Sequence, residues 1–163
     1  MKFLHCDGEN FLLEFERGEP ALLLHLLSLY PLVPATYHRV TQDKNFPHRL
    51  ENQQLLDEAI QSQREQNKKE ILALIKSPKR FNEAEGVASI AFARADLEWL
   101  LQVVNDVRVG CWIALGSPGY EKKKIVRPDK EAMRHAMFME IAGGFEMFFL
   151  GLVNGDVPPE NAG

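Results

Sequence analysis

The chain has 163 residues, of which 45% are hydrophobic and 26% charged, a composition that suits one soluble globular domain and argues against general disorder. Its formal net charge of −4 at pH 7 is the reverse of what a nucleic-acid-binding protein usually carries. The two cysteines, Cys6 and Cys111, suggest neither a disulfide framework nor a metal-ligand pair of thiols. We therefore expect a cytoplasmic protein with no nucleic-acid partner.

The N-terminal part of the chain predicts a β-hairpin followed by a short helix. Two apolar runs flank Asp7 and Gly8, and Asp-Gly between such runs is a strong hairpin signal, here over residues 2–15. A nearly all-apolar segment follows and ends at Pro31, which stops a helix. This segment is expected to form a short central helix at about residues 20–30.

Three longer helices are predicted at about residues 46–76, 94–115 and 128–153 from apolar periodicity and from helix start and stop residues. The middle of the first, residues 61–70, contains no apolar side chain and is expected to lie in solvent. Together these elements predict a mostly α fold, a helical bundle with an N-terminal β-hairpin, in a single domain over residues 1–163.

The longest apolar stretch, residues 137–153, belongs to the last predicted helix. Glu140 and Glu146 interrupt it, and it falls short of the roughly 18 clean apolar residues that a membrane helix needs. We therefore predict a buried core helix and no membrane partner. Its phenylalanines are expected to pack mainly inside the fold, with a weaker homodimer through the same aromatic side of the helix.

Arg108 is a charged residue on an apolar helix face. Steps of about 100° per residue place it among Leu101, Val104 and Cys111. A guanidinium keeps its proton, so burial requires an anionic or carbonyl partner. In the last helix, the same construction places Glu140 on a face of small and flexible residues that permits close helix approach. The sequence therefore predicts a buried Arg108–Glu140 pair.

Two interpretations of this polar group remain open. In the first, Arg108 and Glu140 form a structural pair that sets the register of two helices. In the second, Arg108 binds an anion or carboxylate ligand together with Asn105, Asp106 or Glu140. These four residues are the candidate binding residues of the chain.

The sequence predicts no catalytic residue, metal or cofactor. Its five histidines are scattered, with no pair at the spacing that places two ligands on one helix face. Cys111 lies on an apolar helix face with no adjacent histidine, which is typical of an unreactive core thiol. No glycine-rich phosphate-binding loop is present.

The third long helix carries a motif that resembles a known family. The motif consists of Trp99, Leu100, Asn105, Asp106 and Arg108. It resembles an uncharacterised bacterial all-α family, best known from actinobacteria, whose members are often encoded beside the ClpS protease adaptor. Val107 and Val109 stand where leucines are more usual. The resemblance implies no established activity and links the chain to Clp-dependent proteolysis by association alone.

These observations favour a non-catalytic, cytoplasmic, helical interaction or regulatory protein of a bacterium, which binds a protein partner or itself. The association with Clp-dependent proteolysis is what the resemblance implies. The alternative is a small-molecule binding protein or enzyme that uses Arg108 and the neighbouring Asn, Asp and Glu residues.

Overall fold

A computed structural model of the chain describes residues 1–76, 82–84, 87–117 and 129–160. In chain order they form strands β1 (Lys2–Asp7) and β2 (Asn10–Phe15), helices α1 (Glu19–Ser28) and α2 (Arg49–Ile75), strands β3 (Asn82–Ala84) and β4 (Val87–Ala93), and helices α3 (Arg94–Ala114) and α4 (Lys130–Asn154). The predicted hairpin and helices are confirmed within a few residues of their expected ends. The expected start of the last helix at residue 128 lies outside the described residues.

The hairpin belongs to a larger sheet that the sequence pattern did not predict. Four antiparallel strands lie in the order β1-β2-β4-β3. In β4, Ala88, Ile90 and Phe92 are buried, whereas Ser89 and Ala91 alternate with them and are more exposed. This alternation is the period of a strand, but alanine has little preference for strands and the segment is short. The chain is mostly helical, and its helices share a core with this sheet.

One face of the sheet forms the floor of the core. Phe11, Leu13 and Phe15 of β2 are buried beside their β4 neighbours, with Leu13 paired to Ile90 and Phe11 paired to Phe92. The core extends from these strands to buried side chains of α1, α3 and α4. Burial of this continuous apolar surface is the main stabilising contribution to such a fold.

Strand β4 runs directly into α3, and three hydrogen bonds hold this junction. The Asp96 side chain accepts from the Ala93 backbone N–H at 3.1 Å, which satisfies one free donor at the start of the helix. The Arg94 backbone N–H donates to the Glu9 carbonyl at 2.8 Å, and the Arg94 side chain donates to the Val153 carbonyl at 3.2 Å. The start of α3 thus lies beside the end of α4, so the two helices are antiparallel.

The aromatic side of α4 faces the core. Phe138, Phe145 and Phe149 are buried there together with Ala142. Of the side with small and flexible residues, which we expected to pack against α3, Gly143 lies beside Arg108 of α3, whereas Met133, Gly144 and Met147 face outward. Burying the phenylalanine rings removes far more apolar area from water than burying these residues would. The expected packing of the phenylalanines mainly inside the fold is confirmed, and Phe138, Phe145 and Phe149 are therefore not exposed for the weaker homodimer.

By length and composition alone, α4 is apolar enough to cross a membrane, contrary to the expectation from residues 137–153. It has 25 residues, and its inner side contributes to the core. Core helices of soluble proteins can have the same length and apolar composition.

Helix α2 is continuous and packs against the rest of the fold near its C-terminal end. Its buried residues are Asn67, Ile71 and Leu74, whereas Leu50 and Leu55 near its start are exposed. Its polar middle is largely in solvent, as predicted, apart from Asn67. The first half of the helix thus extends along the surface.

A glycine in α3 allows the chain after α1 to lie directly on the helix. A Cβ atom added at Gly110 would lie 2.6 Å from the Cβ of Leu32 and 2.7 Å from its backbone carbon. Real Cβ atoms do not approach other atoms this closely, and a backbone atom cannot rotate away. Gly110 therefore permits the close contact between residue 32 and α3.

We expect Gly110→Ala to destabilise the fold by about 1–3 kcal/mol, because the segment around Leu32 must move. Gly143→Ala is the matched control, since its added Cβ meets the Arg108 Cδ at an ordinary 4.0 Å. The control should gain up to about 1 kcal/mol from helix propensity. Urea unfolding of both variants measures the difference, and equal stabilities would contradict the proposed role of Gly110.

Candidate functional site

Arg108 forms a polar cluster at the contact between α3 and α4. Its Nε lies 2.5 Å from Glu146 Oε2, and its Nη2 donates to Asn105 Oδ1 at 3.0 Å. The side chains of Arg108 and Glu146 are 41% and 23% exposed. Arg108 Nε itself is out of solvent, and the nearby carboxylate compensates its charge. The pair is half-buried, at the edge of the helix contact.

The predicted pairing of Arg108 with Glu140 is wrong. Glu140 is exposed, and Glu146 takes its place as the anionic partner. The two glutamates lie about 120° apart around α4 at roughly 100° per residue. Since the aromatic side of α4 turns inward, Glu146 comes to the border with α3 and Glu140 points to water.

Asp106 has a structural role away from Arg108. Its Oδ1 accepts hydrogen bonds from the backbone N–H groups of Leu32 at 2.6 Å and Val33 at 3.2 Å. These bonds satisfy two backbone donors of an irregular segment that has no ladder or helix to pair with. The structure therefore brings Arg108 and Asn105 together but directs Asp106 to the segment after α1.

A polar cleft that the sequence pattern did not predict lies beside Asp106. The Asn67 side chain, only 3% exposed, donates to the Tyr30 hydroxyl at 2.8 Å. Arg64 Nη2 donates to the Val33 carbonyl at 2.6 Å. Burial raises the pKa of the Tyr30 phenol, and the Asp106 charge raises it further, against the opposing effects of Asn67 and Arg64. A buried asparagine in a polar helix segment gave no periodic signal in the sequence.

This cleft opens into a wider surface groove. The inner cavity is about 180 Å³ and the outer groove about 820 Å³, and His38, Ile60 and Arg64 line both. Basic side chains in the groove, such as Arg39, are balanced by acidic ones, such as Glu58. Because the groove carries both signs of charge, it favours neither an anion nor a cation as a ligand. In the cleft, Asn67 and Tyr30 already hydrogen-bond to each other.

No group of three or more His, Cys, Asp or Glu that could hold a metal ion occurs in the part of the chain that the structure describes. Cys111 is fully buried, and burial raises the pKa of its thiol, which disfavours the nucleophilic thiolate. Cys111, which lies in the core and does not line the cleft, is therefore not an activated nucleophile.

The second candidate region is the outer face of α4. This face consists of the exposed residues opposite the aromatic side: Met133, Met137, Glu140, Gly144, Met147 and Leu150. Met147 is 74% exposed, and the other large apolar members are each about half exposed. Neighbouring apolar side chains that remain in water on one side of a well-packed helix are typical of an interaction surface. The sequence pattern did not reveal it, since both sides of α4 are apolar.

We expect Glu146→Gln to destabilise the fold by about 1–2 kcal/mol, because it leaves the half-buried Arg108 guanidinium without its charged partner. Glu140→Gln is the matched control on the same helix and should stay within about 0.5 kcal/mol of the parent. In a double-mutant cycle, adding Arg108→Met to the Glu146→Gln protein should recover most of the lost free energy of unfolding. Equal losses for the two glutamine variants in urea unfolding would contradict the pairing.

We expect one thiol to react with Ellman's reagent in the native protein and two in denaturant. Cys6 is exposed, whereas Cys111 is buried with a raised pKa. Cys6→Ser should therefore remove the native reaction altogether. Rapid labelling of Cys111 in folded Cys6→Ser protein would show that the core around it opens readily.

No family model, curated protein or solved structure matches this chain.

Proposed function

We propose that this chain is a non-catalytic helical interaction protein that binds a protein partner through the outer face of α4. One observation carries the proposal: methionine and leucine side chains on this face are exposed, while the opposite side of the same helix is buried in the core. Removing such apolar side chains from water would supply the binding energy.

The chemistry of the outer face suits a protein surface. Methionine is flexible and polarisable, so it can fit an apolar surface of irregular shape. The helix itself is held by buried Phe138, Phe145 and Phe149, so binding need not order its backbone. A preformed face reduces the entropy cost of association.

The alternative of a small-molecule site has less support from the residues that the sequence proposed for it. Arg108 is already balanced by Glu146, so an anion would compete with an internal carboxylate. Asp106 is engaged by two backbone N–H groups. One observation still favours this alternative, namely the cleft around Tyr30 and Asn67, whose polar side chains could contact a small molecule.

The cellular setting is also part of the proposal. The motif around Asn105 and Arg108 resembles the family encoded beside the ClpS adaptor, so we propose a role in the bacterial cytoplasm in association with Clp-dependent proteolysis. ClpS is accordingly the first partner, besides the chain itself, to be sought among cross-linked products.

Photo-cross-linking in living cells tests the outer face directly. Benzoylphenylalanine is placed at Met147 or, as a matched control, at Leu50, because the two side chains are each 74% exposed. We expect discrete protein adducts from position 147 and at least about tenfold less from position 50, since aromatic ketones label what lies in contact. The mass of an adduct separates a second copy from another protein.

Two outcomes would contradict this proposal. One is equal labelling from the two positions, which would indicate random encounters at exposed sites. The other is labelling of lipid alone from position 147, with co-flotation of the unmodified protein on phospholipid vesicles, which would assign the outer face to a membrane.

A further inference from the structure

The cleft beside Asp106 carries one positive and one negative side chain that do not neutralise each other. Arg64 of α2 and Asp106 of α3 both line it, and both are half-buried. Neither takes part in an ion pair among the residues that the structure describes. Half-buried charges lose part of their hydration, so each of them gains from a ligand group of the opposite sign.

Both charged groups are held in place by the same backbone residue. Arg64 Nη2 donates to the Val33 carbonyl at 2.6 Å, and Asp106 Oδ1 accepts from the Val33 N–H at 3.2 Å. Since the nitrogen and oxygen of one residue are about 3 Å apart, Nη2 and Oδ1 lie within roughly 9 Å of each other. Both backbone bonds to Asp106 use Oδ1, so Oδ2 remains available to a ligand, as do the further N–H donors of the guanidinium.

We infer that this cleft binds a free α-amino acid, with its carboxylate at Arg64 and its ammonium at Asp106. An α-amino acid carries these two groups about 3 Å apart, and a hydrogen bond of about 2.8 Å at each end lets it bridge the two side chains. A simple anion would bind Arg64 but be repelled by Asp106, and a simple cation would meet the reverse. Only a ligand with both charges pairs with both side chains.

The Tyr30 phenol adds a third polar group to the cleft. Its oxygen accepts from Asn67 Nδ2 at 2.8 Å, and Asn67 Oδ1 accepts from Gln63 Nε2 at 2.9 Å. Both ends of the buried Asn67 amide are therefore used, which holds the phenol in position. Burial raises the pKa of this phenol further above neutrality, so its O–H keeps the proton and can donate it in a hydrogen bond to the ligand carboxylate.

The volumes place the side chain of the amino acid outside the cleft. The cleft holds about 180 Å³, and the groove that continues from it holds about 820 Å³. A typical ligand pocket has roughly 300–1,000 Å³, so the cleft takes the charged end of the ligand and the groove takes the rest. The side chain passes His38 and Ile60, which line both. These walls come from α2, α3 and residues 30–41, so the site is separate from the outer face of α4.

Isothermal titration calorimetry of the full chain tests the class of ligand. The probes are L-leucine, L-glutamine, L-glutamate and L-lysine, which differ only in their side chains. We expect at least one of them to bind with a Kd of about 1 mM or tighter. The N-acetyl derivative of that amino acid lacks the ammonium, and its α-amide lacks the carboxylate. Each derivative should bind at least about tenfold more weakly than the amino acid.

Substitution of the two charged residues tests the assigned contacts. Arg64→Gln removes the positive charge, and Asp106→Asn removes the negative charge but keeps Oδ1 as the acceptor for the Leu32 and Val33 N–H groups. Each change should weaken binding of the amino acid by about tenfold or more. Lys69→Gln is the control, because it makes the same charge change at an exposed position of α2, and it should bind as the parent does. Circular dichroism verifies that each variant is folded.

The derivatives separate a direct contact from a general disturbance of the cleft. In the Arg64→Gln protein, the amino acid should lose its advantage over the α-amide, and in the Asp106→Asn protein it should lose its advantage over the N-acetyl derivative. Equal weakening of all three ligands in a folded variant would contradict the contact assigned to that residue.

Two further outcomes would overturn the inference. One is no binding of any of the four amino acids up to about 10 mM. The other is equal binding of the amino acid and its two derivatives, which would show that the paired charges are not recognised. Cross-linking from Met147 is unaffected by either outcome, so failure of this inference and failure of the proposed function are distinguishable.

Discussion

Burial of the aromatic side of α4 is the constraint on which the rest of the structure depends. Once Phe138, Phe145 and Phe149 enter the core, the rotation of the helix about its own axis is set. Glu146 then reaches Arg108, and Glu140 is left in water. The same rotation presents the outer face of α4 to solvent, so one packing choice determines both the charge pair and the candidate interaction surface.

Helix α3 contacts the sheet, α4 and the segment after α1, and three of its polar side chains bond to them. Asp96 and Arg94 fix its start against the sheet and α4. Asp106 and Gly110 hold the segment that follows α1, one through hydrogen bonds and the other by allowing close approach. Polar residues on an apolar helix thus satisfy backbone groups that have no partner in regular structure. Surfaces that make no such internal contacts, such as the outer face of α4, are available for binding.

The half-exposed Arg108–Glu146 pair favours one rotation of α4 against α3. Its exposure weakens the Coulomb attraction, but a wrong rotation of α4 would leave the buried Nε without an anion. Such a pair adds modest stability and penalises alternative packings. The outer face of α4, which carries no comparable internal bonds, is free to contact another chain.

The sequence by itself determined the hairpin, the four helices and the need of Arg108 for an anionic partner, because these follow from local periodicity and from the chemistry of one side chain. It left open which side of α4 is buried, since both sides are apolar. It also missed β4, whose Ala88, Ile90 and Phe92 form a strand face when β2 pairs with them. Only the tertiary structure decided these points, because they depend on which surfaces are buried in the shared core. That choice is made by contacts between segments distant in the sequence, which a local sequence pattern does not report.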